Sequence, residues 1–303
     1  MALAPKPKTA DGYSADKTDA CEQVLVTLLG AFGTLKSTLR LVGGLVPRYL
    51  TPESHPDVPA HFGTSDVDMV LNLQLIAEGE GYASLAEQLE QRGFQRFIEP
   101  NGWSSGWRWF RHISEKEYVL VEFLQGATED SPAGKSKNVD GEAVSALAID
   151  HAEIVHEWYE EREVTAKLLT GGGYSIETVR YADLVAFIIL KALAFDGRGE
   201  PKDAGDLIHV LRYSGDPAEV AAKFIEKILS ARYPAAVEAA IQALQKRFCE
   251  GNGVEGYELN GPVAYAQFIY GKGDEFTEEK SQAQRYASGL VTEILMRIRS
   301  GVA

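Results

Sequence analysis

The chain is poor in the residues that several common chemistries require. Of its 303 residues only Cys21 and Cys249 are cysteines. They stand too far apart, and too far from any histidine cluster, to read as a thiolate metal site. So few thiols fit a reducing, cytoplasmic setting. No stretch approaches the roughly 18 consecutive apolar residues of a membrane span, and no membrane partner is expected. His151, His156 and His209 are too scattered for a metal triad and read as surface or hydrogen-bonded histidines. Ser104 and Ser105 have no His and acid in a nucleophile setting, which sets hydrolase chemistry aside. Basic residues are also scarce, 30 Lys and Arg against 44 Asp and Glu, for a net charge of −14. Sequence-independent adhesion to nucleic acid depends on neutralising phosphates, so this balance disfavours it. A local basic strip, for example Lys223, Lys227, Arg232, Lys246 and Arg247, would still offer a surface for tRNA.

What remains is an ordinary globular composition, 45% hydrophobic and 24% charged, long enough for one large domain or two modest ones. Residues 1–17, with three lysines and no secretory pattern, are expected to form a disordered lead-in. Helical spacing begins at Thr18–Phe32, with Thr18 or Asp19 as N-cap. A strand over Thr38–Val42 closes at Gly43 and Gly44, and Leu45–Leu50 opens a helix with Pro47 in its first turn. After a proline-rich loop at Thr51–Ala60, Asp66–Leu73 alternates as a half-buried strand. A helix over Tyr82–Arg92 ends at Gly93. Trp107–Ile113 and Tyr118–Leu124 pair around Ser114–Glu117. Gly126–Gly141 reads as loop, and Glu163–Leu169 with Tyr174–Val179 as a hairpin around Gly171, Gly172 and Gly173. From Tyr181 the period becomes helical through Tyr181–Phe195, Asp203–Tyr213, Pro217–Leu229, Ala235–Phe248 and Thr277–Arg299, with a glycine-rich loop at Gly251–Gly273. The expected organisation is an α/β (α+β) core over 18–180, a mixed sheet flanked by helices, followed by a helical domain over 181–303.

The chemistry centres on Asp66-Val67-Asp68. Residues two apart on a strand share a face, so the two carboxylates are expected side by side, with Val67 and Val70 turned to the core. Glu122, acidic within an otherwise apolar strand, is expected as a third ligand because a buried charge without a partner is costly. Hard oxygen donors of this kind suit Mg²⁺ or Mn²⁺ carrying a triphosphate. The bland alternative leaves Asp66 and Asp68 facing solvent and Glu122 at a frayed strand end. Gly43-Gly44, one strand earlier, favours the metal reading, because a glycine pair lets backbone N–H groups approach phosphates.

In the helical half, Lys191 lies in the apolar run Leu184–Phe195, where it either meets an anion or snorkels to water. After Arg198, the segment Lys202-Asp203-Ala204-Gly205-Asp206 places Asp203 and Asp206 on one helix face. Asp206 is read as orienting Lys191 by an ion pair or polarising a substrate hydroxyl. Trp103, Trp107, Trp109 and Phe110 are read as filling a sheet face, over the alternative of stacking bases.

Together, Leu41-Val42-Gly43-Gly44, Gly63-Thr64-Ser65-Asp66-Val67-Asp68-Met69, Leu85 with Leu89 and Gly93-Phe94, Leu190-Lys191-Ala192-Leu193 and Lys202-Asp203-Ala204-Gly205-Asp206-Leu207 resemble the AbiEii/AbiGii-type branch of the nucleotidyltransferase superfamily. That resemblance implies the nucleotidyltransferase fold and metal-dependent transfer of a nucleoside monophosphate from a nucleoside triphosphate to an RNA such as tRNA, a protein or a small molecule. It also implies a toxin of an abortive-infection or toxin–antitoxin pair, with a cognate antitoxin as partner. By the same resemblance Asp66 and Asp68 bind metal, Lys191 contacts the triphosphate, Asp206 serves the acceptor side, and Gly43, Gly44, Thr64, Ser65 and Lys202 line the nucleotide. The chain departs from the pattern at His61, where relatives often carry a basic residue, leaving Arg48 as a substitute. It departs again at Gly44 in place of serine, and at Glu122 in place of aspartate. Two rival functions are a nucleotide-binding or regulatory protein that has lost catalysis and an antibiotic-modifying nucleotidyltransferase.

Overall fold

A computed structural model describes residues 6–52, 56–72, 85–138, 143–169, 171–251 and 253–302. The chain forms a mixed α/β unit, built from 1–6, 14–46 and 63–182, and a helical unit built from 7–13, 47–62 and 183–303. The sheet mixes parallel and antiparallel pairs and is flanked by helices, and the C-terminal region is helical, as the change of period near Tyr181 implies.

The first unit opens with α1 (Ala15–Phe32), capped by Ser14, whose side chain accepts from the Lys17 N–H. Val24, Leu25, Val26 and Leu28 on this helix are fully buried, each worth about 1.5–3 kcal/mol relative to exposure. The expected disordered lead-in is thus corrected: among described residues, Ala10–Gly12 forms a 3₁₀ turn and α1 begins at Ala15. Ser14 supplies the cap that the periodicity placed at Thr18 or Asp19. Thr18 is a helical residue whose hydroxyl donates back to the Ser14 carbonyl.

Nine strands are described: β1 (Arg40–Val42), β2 (Asp66–Val70), β3 (Phe94–Ile98), β4 (Ser104–His112), β5 (Tyr118–Gly126), β6 (Ser136–Asn138), β7 (Ser145–Ile149), β8 (Tyr159–Lys167) and β9 (Tyr174–Ala182). Their order is β3-β4-β5-β2-β1-β9-β8, with β7 against β5 and β6 against β7. β2 lies centrally, antiparallel to β1 and parallel to β5. Val67 and Val70 are both fully buried although they have opposite strand parity, so each face of β2 is covered. Leu73, at the expected end of this strand, lies outside the described residues, as does the beginning of the expected Tyr82–Arg92 helix. The described part, α3 (Leu85–Gln91), is followed by Gly93 at φ 77°.

Strands β3, β6 and β7 were not expected. Phe94 and Phe97 are both buried at a spacing of three, and a register shift between Arg96 and Ile98 reconciles that spacing with a strand. A bulge of this kind erases the alternation that marks a strand in sequence. The Trp cluster also divides. Trp109 and Phe110 are core residues, Trp107 is half-buried under the Arg108 guanidinium, and Trp103 is 75% exposed, so the expectation that all four fill the sheet face is corrected.

Within the second unit a short helix, α2 (Pro47–Leu50), precedes α4 (Leu184–Arg198), α5 (Pro201–Tyr213), α6 (Pro217–Leu229), α7 (Pro234–Phe248), α8 (Asn260–Tyr270) and α9 (Thr277–Val302). The expected helix over Leu45–Leu50 is therefore a 3₁₀ turn at Gly43–Leu45 followed by one turn of α2. Asp183 caps α4 by accepting from the Ala186 N–H at 2.9 Å. Asp216 and Glu219 form a capping box around Pro217 at the start of α6. The glycine-rich segment Gly251–Gly273 is not all loop, because α8 occupies its centre. Gly261 is required there by packing, since a side chain would overlap the Phe248 ring.

Candidate metal centre

Asp68 faces Val42 on one side and Glu122 on the other in the sheet register, and Arg108 follows Glu122 on β4. Asp66 lies two residues earlier on β2 and is buried. Period-two geometry turns Asp66 and Asp68 the same way, and parallel pairing brings Glu122 level with Asp68. One carboxylate oxygen from each of Asp66, Asp68 and Glu122 lies within 4.8 Å of the other two. Asp66 is buried, and Glu122 lies mid-strand and only 16% exposed, so neither matches the bland alternative of a solvent-facing Asp66 and a frayed Glu122.

Neighbouring groups hold the three acids in place. Thr64, fully buried, donates its hydroxyl to Asp66 Oδ1 at 2.7 Å, and the Thr64 N–H donates to the Thr18 hydroxyl at 3.2 Å. Arg108 Nε donates to Glu122 Oε1 at 2.8 Å, and its guanidinium also reaches Glu99 at 3.3 Å. Gly43 has φ 75°, and any side chain at this position would collide with the Asp68 carboxylate. Glycine is therefore required twice over, by its left-handed backbone and by the close approach of Asp68. Gly44 is buried in the same turn and Ser65 is half-buried in the bend before β2.

A further residue, which the sequence did not single out, completes the centre. The Lys6 ammonium donates to Asp66 Oδ2. Burial opposes a charge here, but the fields of Asp66, Asp68 and Glu122 outweigh it and hold the Lys6 pKa above its usual value. The only signal available in the sequence was a lysine between two prolines, Pro5-Lys6-Pro7. Lys6 contacts Asp66 and is attracted by Asp68 and Glu122, and three converging carboxylate oxygens are a donor set that fits a hard divalent metal.

The remaining site expectations, Lys191, Lys202 and Asp206, belong to the second unit. Lys191 Nζ lies 3.0 Å from Asp203 Oδ1 and 2.8 Å from Asp206 Oδ2, which settles its environment as an ion-pair network rather than a snorkelling chain. Lys202 Nζ is 2.8 Å from Asp206 Oδ1, and His61 Nε2 is 2.9 Å from the same oxygen. Arg198 donates twice to Asp203, at 2.6 and 2.8 Å. Burial alone would raise the Asp206 pKa, yet Lys191, Lys202 and His61 hold it well below the carboxylate range. His61 is pushed down by burial more than Asp206 raises it. His209 is buried with its ring centroid 5.0 Å from that of His61, and its Nε2 finds no hydrogen-bond partner among the described residues. The expectation of a surface or hydrogen-bonded histidine is corrected there.

The chain matches no family model and no curated protein. Among solved structures it is similar to the crystal structure of JHP933 from Helicobacter pylori, at 11% identity over 95% of each chain with a TM-score of 0.39. Among the described residues no helix is long and apolar enough to cross a membrane.

Proposed function

We propose that the first unit is the metal-binding core of a nucleotidyltransferase that moves a nucleoside monophosphate from a nucleoside triphosphate to a hydroxyl acceptor on RNA, protein or a small molecule. The observation that supports this reading is the convergence of Asp66, Asp68 and Glu122 oxygens within 4.8 Å beside the Gly43 turn. The reading places Mg²⁺ or Mn²⁺ on these three carboxylates, and a bound ion of that kind neutralises charge on the triphosphate and the departing pyrophosphate. Asp66 and Asp68 supply donors from one strand and Glu122 from its parallel neighbour. Thr64 orients Asp66, and Arg108 orients Glu122. Gly43 leaves the space that the Asp68 carboxylate fills. In the reaction the acceptor hydroxyl oxygen bonds to the α-phosphorus as its proton passes to water, and the α–β bridge breaks with its electron pair leaving on pyrophosphate.

Pyrophosphate release tests this reading, with labelled triphosphates, Mg²⁺ and an acceptor panel of tRNA, total protein and hydroxylated antibiotics, each read by mass shift. Asp68→Asn is expected to abolish release, at least 100-fold below wild type, without altering the circular dichroism spectrum. An unchanged rate would remove Asp68 from the mechanism. The Arg108–Glu122 ion pair favours a second reading, a nucleotide-binding protein without transfer, because it holds one of the three ligands away from full commitment to a metal. Calorimetric binding of a triphosphate with Mg²⁺, with no pyrophosphate released for any acceptor, would select it.

A further inference from the structure

The Lys6 side chain is 55% exposed, whereas the Asp66 side chain it contacts is 8% exposed. The ammonium is thus held on a buried carboxylate while much of the side chain stays accessible to water. An ammonium carries one charge and three donors on a flexible stem, so it satisfies the triad electrostatically without demanding the geometry of a metal shell. Pro7 follows it directly and Pro5 precedes it. Proline fixes its own φ and biases the preceding residue toward extended backbone, which lowers the entropy lost when Lys6 docks. Asp66 accepts from both Lys6 and Thr64. A divalent ion placed among the same three oxygens would stand within the reach of the Lys6 charge, and like charges at such a distance repel.

We propose that Lys6 is a built-in cation that occupies the Asp66–Asp68–Glu122 centre in the resting protein and withdraws when a divalent ion enters, so that its side chain acts as a tethered competitor of the metal. The proposal rests on the reading of this triad as a metal centre. Tethering sets the strength of the competition, because the competitor is present at a fixed effective concentration whatever the protein concentration. The apparent affinity for metal falls by the fraction of molecules in which the site is open. With Lys6 docked in most molecules, metal binding is weakened roughly threefold to tenfold.

Titration of the full chain with Mn²⁺, with free ion followed by electron paramagnetic resonance, tests this. Lys6→Ala is expected to bind Mn²⁺ roughly threefold to tenfold more tightly than wild type, and Lys6→Arg, which keeps the charge, to bind within about twofold of it. Asp68→Asn is expected to lose binding with either residue at position 6. Equal or weaker binding by Lys6→Ala, with Asp68→Asn still abolishing it, would overturn the role of Lys6 and leave the metal centre standing. Absence of Mn²⁺ binding in wild type and Lys6→Ala alike would overturn both.

Discussion

Asp206 is fully buried and carries three partners, Lys191, Lys202 and His61. A single carboxylate thus compensates one buried and one half-buried ammonium group and orders a histidine. Removing one partner of a buried ion pair leaves an unpaired charge and costs roughly 3–5 kcal/mol. Asp206→Ala is expected to lose about that much stability in urea denaturation, and Asp206→Asn, which keeps a hydrogen-bond acceptor, to lose less. Equal losses for the two would show that charge is not what Asp206 contributes. The sequence pointed to this residue through the i,i+3 pairing of Asp203 with Asp206 and the lone lysine in an apolar helix. His61 could not be read from it, because 145 residues separate it from its carboxylate and no local pattern marks the contact. The acidic triad was legible for a different reason. Strand parity is a local rule that sets Asp66 and Asp68 on one face by their spacing alone, and Glu122 is acidic within an otherwise apolar strand.

Helix α5 carries Gly205 at a buried position where an added side chain would overlap the Phe268 ring of α8. In an exposed helix, alanine in place of glycine stabilises by about 1 kcal/mol. Here the close contact between α5 and α8 reverses the sign, because overpacking costs about 1–3 kcal/mol. Gly205→Ala is expected to lower the thermal midpoint, and a rise would show that the two helices can separate without loss. Helix α8 itself was hidden in the sequence. Gly261 and Gly271 bracket it and Pro262 sits in its first turn, so local composition read as loop while packing on Phe248 and Gly205 made it helix. By contrast, α6 was legible to the residue, since Asp216, Pro217 and Glu219 write out its start. β3 stayed illegible because its bulge replaces a period of two with a period of three.

Across the molecule, α4 begins at Leu184, close to the expected change of period at Tyr181, because a shift from strand to helical period is a property of the local sequence. Assignment of 7–13 and 47–62 to the helical unit was not readable, since it depends on which distant surface each segment covers. Each unit holds a histidine with a depressed pKa. Burial pushes His156 down to about 4, helped by Arg40, and pushes His209 down to about 3, helped by His61. The unfolded chain binds protons at these positions below about pH 6.5 while the folded chain does not. Stability is therefore complete above pH 6.5 and falls as pH drops toward 3. The His209 ring packs on Phe62, His61 and Tyr213, with Asp206, Arg212 and Lys202 as the charges around it. His209→Phe keeps the ring contacts and removes both the proton site and the unpartnered Nε2. Its thermal midpoint is expected to fall less than that of wild type between pH 7 and pH 5, and an identical fall would clear His209 of the acid sensitivity.

The parallel pairing of β2 with β5 sets Asp68 level with Glu122. A slip of one residue would turn Glu122 to the opposite side of the sheet, so no partly registered intermediate offers all three oxygens. On the proposed reading, a divalent ion would meet its three donors only once β2 and β5 have paired in register.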